Sequence, residues 1–320
     1  MIPGDDRALA ELISLHSKRR NSFGPGDRIV QLIESSLGDL QSYSALTRRT
    51  AFMAATAALG IRTLKTSIVT GYDPLPESLK ELGFPLVLKL DGTSGGTGTV
   101  IAYCRQDAIA KSGMLLSPWR RMRKNFGSFL RGEGSLLATP SEWRKPVLNA
   151  QTFVNGRPAT TAFACLDGKV LGTVHAEVLQ EAWPKGPATV VRVIRSGELD
   201  SNAEKVASRF RLSGVHGLDY IVEEATGIPW LIEMNPRLTQ IAHFALGPGH
   251  DLAAALIAAS TGEPVPSRSV QHGSEVVALF PQEWLRDRKS PFINSGYDDV
   301  PRNNPAFVQA ILGKASNSVG

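Results

Sequence analysis

Residues able to hold a divalent cation cluster most closely between Val215 and Leu238, VHGLDYIVEEATGIPWLIEMNPRL. Two apolar runs, Leu218–Val222 and Trp230–Met234, flank a polar turn containing Gly227, a pattern that reads as a β-hairpin. With the turn centred near Thr226, Asp219 and Glu233 face each other across the ladder. Side chains alternate along a strand, so Asn235 shares the face of Glu233. Two carboxylates directly opposite, with Cβ atoms about 5 Å apart, repel unless positive charge lies between them. Oxygen donors of this kind suit Mg²⁺, with Mn²⁺ as an alternative. An isolated pair would read as charges on a solvated strand face. Asn235 and Arg237, following in the same line, favour the metal.

A second stretch suits anions. The loop Asp91–Gly98, DGTSGGTG, lies between the expected strands Phe84–Leu90 and Thr99–Tyr103. Its glycines, Gly95 and Gly96 among them, let the backbone approach a phosphate, and free N–H groups there form an anion nest. No helix follows, which argues against a dinucleotide fingerprint, and the missing Gly-Lys-Ser/Thr argues against a P-loop. A flexible hairpin is the other reading.

Around these stretches the apolar spacing predicts helices over Arg7–Ser17, Asp27–Leu37, Ala51–Leu59, Leu75–Leu82, Gly197–Leu212 and Leu252–Ser260, with Asp5, Asp6 and Asp251 as caps. Strands are expected over Ile61–Val69 and Val190–Ile194. Antiparallel hairpins are expected at Asn155-Gly156 and Asp167-Gly168. His175, His243 and His250 read as capping or packing residues. Beyond Pro281 the Pro-, Asn- and Ser-rich tail reads as mostly irregular.

Composition bounds the class. With 320 residues, 42% hydrophobic and 20% charged, the chain is an ordinary globular protein large enough for two or three subdomains. No apolar run of membrane-spanning length occurs, and the acidic start MIPGDDRALAE is unlike a signal peptide, so a cytoplasmic protein without membrane contact is expected. Cys104 and Cys165 lie too far apart for a disulfide framework and read as small core residues. The net charge of +5 fits anionic small ligands, and no RNP-like or zinc-finger pattern supports nucleic acid. Seven basic and two acidic residues between Ser117 and Pro146 give that stretch a local +5. Its core, Trp119–Arg131, reads as an amphipathic insertion helix with a solvated basic face, with a contact to an acidic substrate, a partner or single-stranded nucleic acid as the alternative.

The arrangement D…IEMNPR from Asp219 to Arg237 resembles the metal-binding hairpin of the ATP-grasp superfamily, which includes the carbamoyl phosphate synthetase large subunit, biotin carboxylase and D-alanine:D-alanine ligase. Residues 83–103, GFPLVLKLDGTSGGTGTVIAY, are similar to that superfamily's strand lysine and phosphate-covering loop. The resemblance covers roughly residues 49 to 260. It implies that Asp219, Glu233 and Asn235 hold Mg²⁺ against the phosphates of ATP. It further implies Lys89 and Arg49 on the phosphates, with Arg48 able to serve in place of Arg49, and Gly95, Gly96 and Thr97 covering them. Gln151, Phe153 and Val154 would meet adenine, and Arg237 the reacting phosphoryl or acyl group; Lys185, on the Pro- and Gly-bounded loop at 182–189, reads either as a contact to the γ-phosphate or a substrate carboxylate or as an exposed loop lysine. Gln151 stands where an acidic residue is usual, and Pro158 where Glu or Asp often follows the glycine. Thr239-Gln240-Ile241-Ala242-His243 does not match the Gln-Val-Glu-His of biotin carboxylases.

The implied fold is α+β, two subdomains gripping ATP behind a shortened α/β segment. The expected divisions are 1–44 for that segment, 45–115 for the small subdomain, 116–148 for the basic insertion, 149–265 for the large subdomain and 266–320 for an extension. The implied activity is an ADP-forming carboxylate-amine ligase in which ATP and Mg²⁺ turn a carboxylate or bicarbonate into an acyl phosphate for attack by an amine. A nucleotide-binding module without turnover is the alternative. If leading strands are missing, the apolar faces of the first two helices need cover, and a homodimer is expected on that ground.

Overall fold

The computed structural model of the chain describes residues 1–69, 81–93, 96, 98–117, 147–266, 276–293 and 299–316. Residues 75–80 of the expected helix Leu75–Leu82, the expected helix Trp119–Arg131, and the site residues Gly95 and Thr97 lie outside them.

Helix α1 (Asp6–Phe23) starts where the Asp5 carboxylate accepts the Ala8 amide at 2.7 Å. Helix α2 starts at Arg28, not Asp27, because the Asp27 carboxylate accepts the amides of Ile29 and Val30 and so caps the helix from outside. A 3₁₀ turn at 40–42 and α3 (Tyr43–Leu46) lead into α4 (Arg49–Ala57).

Two antiparallel sheets follow. The smaller has the order β1-β4-β2-β3, from Thr66–Val69, Leu86–Leu90, Thr99–Ala102 and Leu148–Thr152 as β1 to β4, and α5 (Arg105–Leu116) covers its back. The larger is ordered β10-β7-β6-β5-β8-β9, from β5 (Gly156–Leu166), β6 (Lys169–Glu181), β7 (Ala188–Ile194), β8 (Gly214–Glu223), β9 (Pro229–Asn235) and β10 (Val276–Ala278). Helix α6 (Gly197–Phe210) packs on one face of it and α7 (Leu252–Thr261) on the other. Both faces are buried, so β5 reads as a nearly continuous apolar run: Phe163 and Cys165 enter one core, Ala162 and Ala164 the other.

Several expectations need correction. The Asn155-Gly156 pair turns no hairpin: β4 and β5 belong to different sheets, and the residues between them cross from one sheet to the other. Asp167-Gly168 does turn one, with φ of 46° and 79°. Strand pairing of Ile61–Val69 is confined to Thr66–Val69, because residues before it bond along β9 instead, Leu231 N–H to the Arg62 carbonyl at 2.9 Å. Cys104 is exposed and only Cys165 is buried. The tail contains two helices, α8 (Gln282–Arg286) and α9 (Pro305–Ser316). Leu9, Ile33 and Leu37 of α1 and α2 are buried against α6 and the large sheet. The chain's own core therefore covers part of these faces, while Leu15, Ile29 and Leu32 on the same two helices remain exposed.

Candidate functional site

The two sheets face each other across a cavity of about 1250 Å³. Asp219 and Glu233 are register partners on β8 and β9, as the hairpin spacing predicts. The register reaches that pairing through a bulge. Tyr220 pairs with Leu231 while Asp219 pairs with Glu233, so Ile232 is the extra residue. Because of it Leu231 and Met234, three apart, both enter the core, while Glu233 and Asn235 line the cavity. The Asn235 amide donates to Asp219 Oδ2 at 2.7 Å.

Arg49, at the start of α4, supplies a positive charge beside Glu233. It donates to Glu233 Oε2 at 2.7 Å and to Asp91 Oδ1 at 2.8 Å. Burial works against ionised Glu233, but Arg49 and then Lys89 outweigh it and hold Glu233 below the usual carboxylate range. Burial first, and then the charge of Glu233, pushes Asp219 up to about 6. The pair thus carries one charge firmly and the second less so.

Lys89, on β2, reaches the same cavity from the opposite sheet with only 6% of its surface exposed. Its neighbours across the ladder are Asn149 and Thr99, and one row along the same face lie Thr66, Gln151, Val87 and Ile101. Burial pushes the Lys89 ammonium down to about 8, and Glu233 offsets this only in part. The unfolded chain keeps that proton up to about 10.5, so between pH 8 and 10.5 the folded chain binds fewer protons and this group makes stability rise with pH. An anion placed on Lys89 restores the proton. Mg-ATP binding at pH 8 should therefore take up about half a proton. Calorimetry in two buffers of different ionisation enthalpy measures the uptake, and Lys89→Met should abolish it; an uptake that survives the substitution would contradict the placement.

The remaining expected residues are distributed as follows. Gln151 is buried beside the cavity, its amide nitrogen donating to Thr66 Oγ1 at 3.0 Å and to the Ile232 carbonyl at 3.4 Å. Phe153 and Val154 line the cavity at the crossing between the sheets. Arg237 lines it too, but its Nε donates to Asp6 Oδ1 at 2.8 Å, so it is braced by α1. A Cβ on Gly217 would lie 2.2 Å from the Thr239 methyl, so a larger residue there would displace the Thr239 side chain where the segment after Arg237 crosses β8. Lys185, at φ 63°, stands on the β6–β7 loop, and burial and then Lys111 lower its ammonium's pKa. A Cβ on Gly96 would meet the Lys185 carbonyl at 1.8 Å: the glycine loop and the β6–β7 loop touch backbone to backbone. Arg48 also lines the cavity.

Spacing alone missed Asp91 and Asn149. The Asn149 amide donates to Asp91 Oδ1 at 2.8 Å, completing a bridge with Arg49. Asp91 follows Lys89 by two residues and Asn149 precedes Gln151 by two, so the period of a strand was the available signal. His175 is a satisfied buried histidine, between Thr161 Oγ1 and Asp200 Oδ1 at 2.9 Å each. His250 bonds the Thr173 carbonyl at 2.6 Å and His243 pairs with Asp299.

Among the described residues no three His, Cys, Asp or Glu side chains gather as a metal cluster. Asp219, Glu233 and the Asn235 oxygen form a smaller donor set, suited to Mg²⁺, which commonly takes one or two carboxylates together with substrate phosphates and water. The register and the Asn235–Asp219 bond already hold that set together.

An ATP-grasp domain family matches residues 129–240. The phosphoribosylamine–glycine ligase of Thermotoga maritima is 27% identical over 157 residues, 49% of this chain and 33% of that protein. Among solved structures, carboxyaminoimidazole ribonucleotide synthase from Aspergillus clavatus, complexed with ATP, superposes with a TM-score of 0.53 at 18% identity, over 74% of this chain and 57% of that one. The biotin carboxylase domain of Hydrogenobacter thermophilus 2-oxoglutarate carboxylase, with MgADP, ADP and bicarbonate, gives 0.54 at 15% identity, over 82% and 59%. The chain thus spans a third of that curated relative and under two thirds of these two solved chains.

Proposed function

We propose, from the premise that this chain has the ATP-grasp fold, that it is an ATP- and Mg²⁺-dependent ligase that activates a carboxylate or bicarbonate as an acyl phosphate for attack by an amine. One observation carries the reading: Asp219, Glu233 and Asn235 from one sheet, and Lys89 from the other, converge on one cavity with Arg49 between them. Asp219, Glu233 and Asn235 are the residues that would hold the metal. When bound, Mg²⁺ would neutralise charge on the transferring phosphoryl group.

The chain's own groups do the rest. The Lys89 ammonium, poorly solvated, gains most from a phosphate oxygen. Gly96 permits the close backbone approach that a phosphate cover requires. Val87 and Ile101 face the cavity and offer the base a dry wall, and the Gln151 oxygen accepts from an exocyclic amino group. Arg237, fixed by Asp6, stabilises developing negative charge on the acyl phosphate. In this reading 45–115 and 149–265 are the two halves of the grip, 1–44 braces it through Asp6, and 116–148 and 266–320 are additions. No described helix is long and apolar enough to cross a membrane, and small-molecule work in the cytoplasm is the setting this reading assigns.

Assaying ADP and phosphate release from ATP and Mg²⁺ across a panel of carboxylates and amines tests the proposal. Acceptor-dependent release is expected. Magnesium-dependent ATP binding without release for any acceptor would favour the second reading, a nucleotide-binding module, which the commitment of the Gln151 amide to protein partners supports. Failure to bind ATP would overturn both.

A further inference from the structure

Arg49 stands between carboxylates from two different sheets. Its terminal nitrogens bond Asp91 at the end of β2 and Glu233 on β9. Only 12% of the side chain is exposed, and its buried Nε has no partner among the described residues. Asp91 is anchored in turn by the Asn149 amide at 2.8 Å and by its own N–H to the Val147 carbonyl at 2.9 Å. Asp219, in contrast, bonds the neutral amide of Asn235. Of the two facing carboxylates, Glu233 therefore carries a cation supplied by the chain.

Resting on the ligase reading above, we propose that Arg49 and the divalent cation compete for Glu233, that Asp91 tethers Arg49 between them, and that the nucleotide's phosphates decide the competition by drawing Arg49 off Glu233. A free dication approaching Glu233 meets a guanidinium already within bonding distance, in a partly buried site where like charges are weakly screened. Metal alone therefore binds poorly. Phosphate oxygens offer the guanidinium a planar, two-point anionic partner at least as good as a carboxylate. With phosphate present Glu233 loses its counter-ion and becomes free for the metal. Nucleotide and metal affinities are then coupled through one side chain, and the coupling is the same measured from either side. The chain takes up the metal–nucleotide complex as a unit and discriminates against the free ion.

Binding of Mn²⁺, followed by the spin-resonance signal of the free ion with and without the β,γ-imido analogue of ATP, tests this. Arg49→Gln should bind free Mn²⁺ about tenfold more tightly than the parent, from loss of the competing charge, and should gain less on adding the analogue. Asp91→Asn keeps an acceptor for Asn149 but removes the tether's charge. Arg49 then pairs with Glu233 alone, and Mn²⁺ should bind more weakly without nucleotide. Unchanged or weaker Mn²⁺ binding by a folded Arg49→Gln overturns the proposal. If that variant does not fold, unchanged or tighter binding by Asp91→Asn does so. A parent chain that takes up Mn²⁺ with the analogue, beside an Arg49→Gln that behaves identically, sinks this inference alone. A parent that binds neither sinks the ligase reading.

Discussion

Glu233→Gln should retain the fold and most of the nucleotide affinity while turnover falls at least a hundredfold. Gln preserves size and one acceptor oxygen but removes the charge that faces Asp219. Two effects on stability oppose each other. The Asp219–Glu233 repulsion, which helps push Asp219 up, disappears, and the charge-assisted bond from Arg49 weakens to an ordinary one. Each is worth about 1 kcal/mol, so the melting temperature of the free chain should move by no more than a few degrees. Arg49 keeps Asp91, so the local frame survives. The rate has no such compensation: a hundredfold loss is about 2.7 kcal/mol of transition-state stabilisation, the scale of losing one charged ligand at a phosphoryl-transfer site. Melting curves, nucleotide titration and phosphate release distinguish the outcomes. Unfolding would make Glu233 a structural carboxylate, and undiminished turnover would remove it from the metal set.

Lys89→Met should act in opposite directions on binding and on stability. The ammonium is buried and its proton weakly held, down to about 8, so at pH 7 the charged form is maintained against burial. A methionine of similar length fills the space without that cost, and the ligand-free chain should gain about 2 kcal/mol. Mg-ATP affinity should fall roughly thirtyfold, about 2 kcal/mol, as one charge-assisted phosphate contact is lost. Denaturant unfolding and calorimetry on the same preparation measure both signs. A variant less stable than the parent would show that Lys89 serves the apolar core or the carboxylates, and unchanged Mg-ATP affinity would take it off the phosphates.

The hairpin was legible because both its strands are apolar and its turn is polar, and the symmetry of Asp219 and Glu233 about Thr226 named the right pair. The structure reaches that pair by a different route. Near the turn the ladder pairs Val222 with Pro229, placing its centre between Ala225 and Thr226, and the bulge at Ile232 shifts the register by one residue before Glu233. Nothing in an isoleucine among apolar neighbours announces a bulge. The trace it leaves is Leu231 and Met234, core residues three apart where a regular strand would alternate. Arg49, 42 residues from Asp91 and 184 from Glu233, was legible only as a cation near the site. Its pairing depends on how two sheets meet, which local spacing does not encode. Turn chemistry at Asn155-Gly156 identified a change of direction but not that it leads to the other sheet. In the tail, Pro305 opens α9 at the helix position where proline costs nothing, and the surrounding Asn and Ser masked the apolar period of Phe307, Val308 and Leu312.

Isotope transfer reads the acyl phosphate directly. Once an accepted carboxylate is found, supplying it with both oxygens as ¹⁸O in ordinary water, with ATP, Mg²⁺ and the amine, should place one ¹⁸O in each inorganic phosphate released. The acyl oxygen that attacks the γ-phosphorus leaves with it when the amine displaces phosphate. Released phosphate that carries no label from the carboxylate, or takes its oxygen from the water, would contradict activation by phosphoryl transfer.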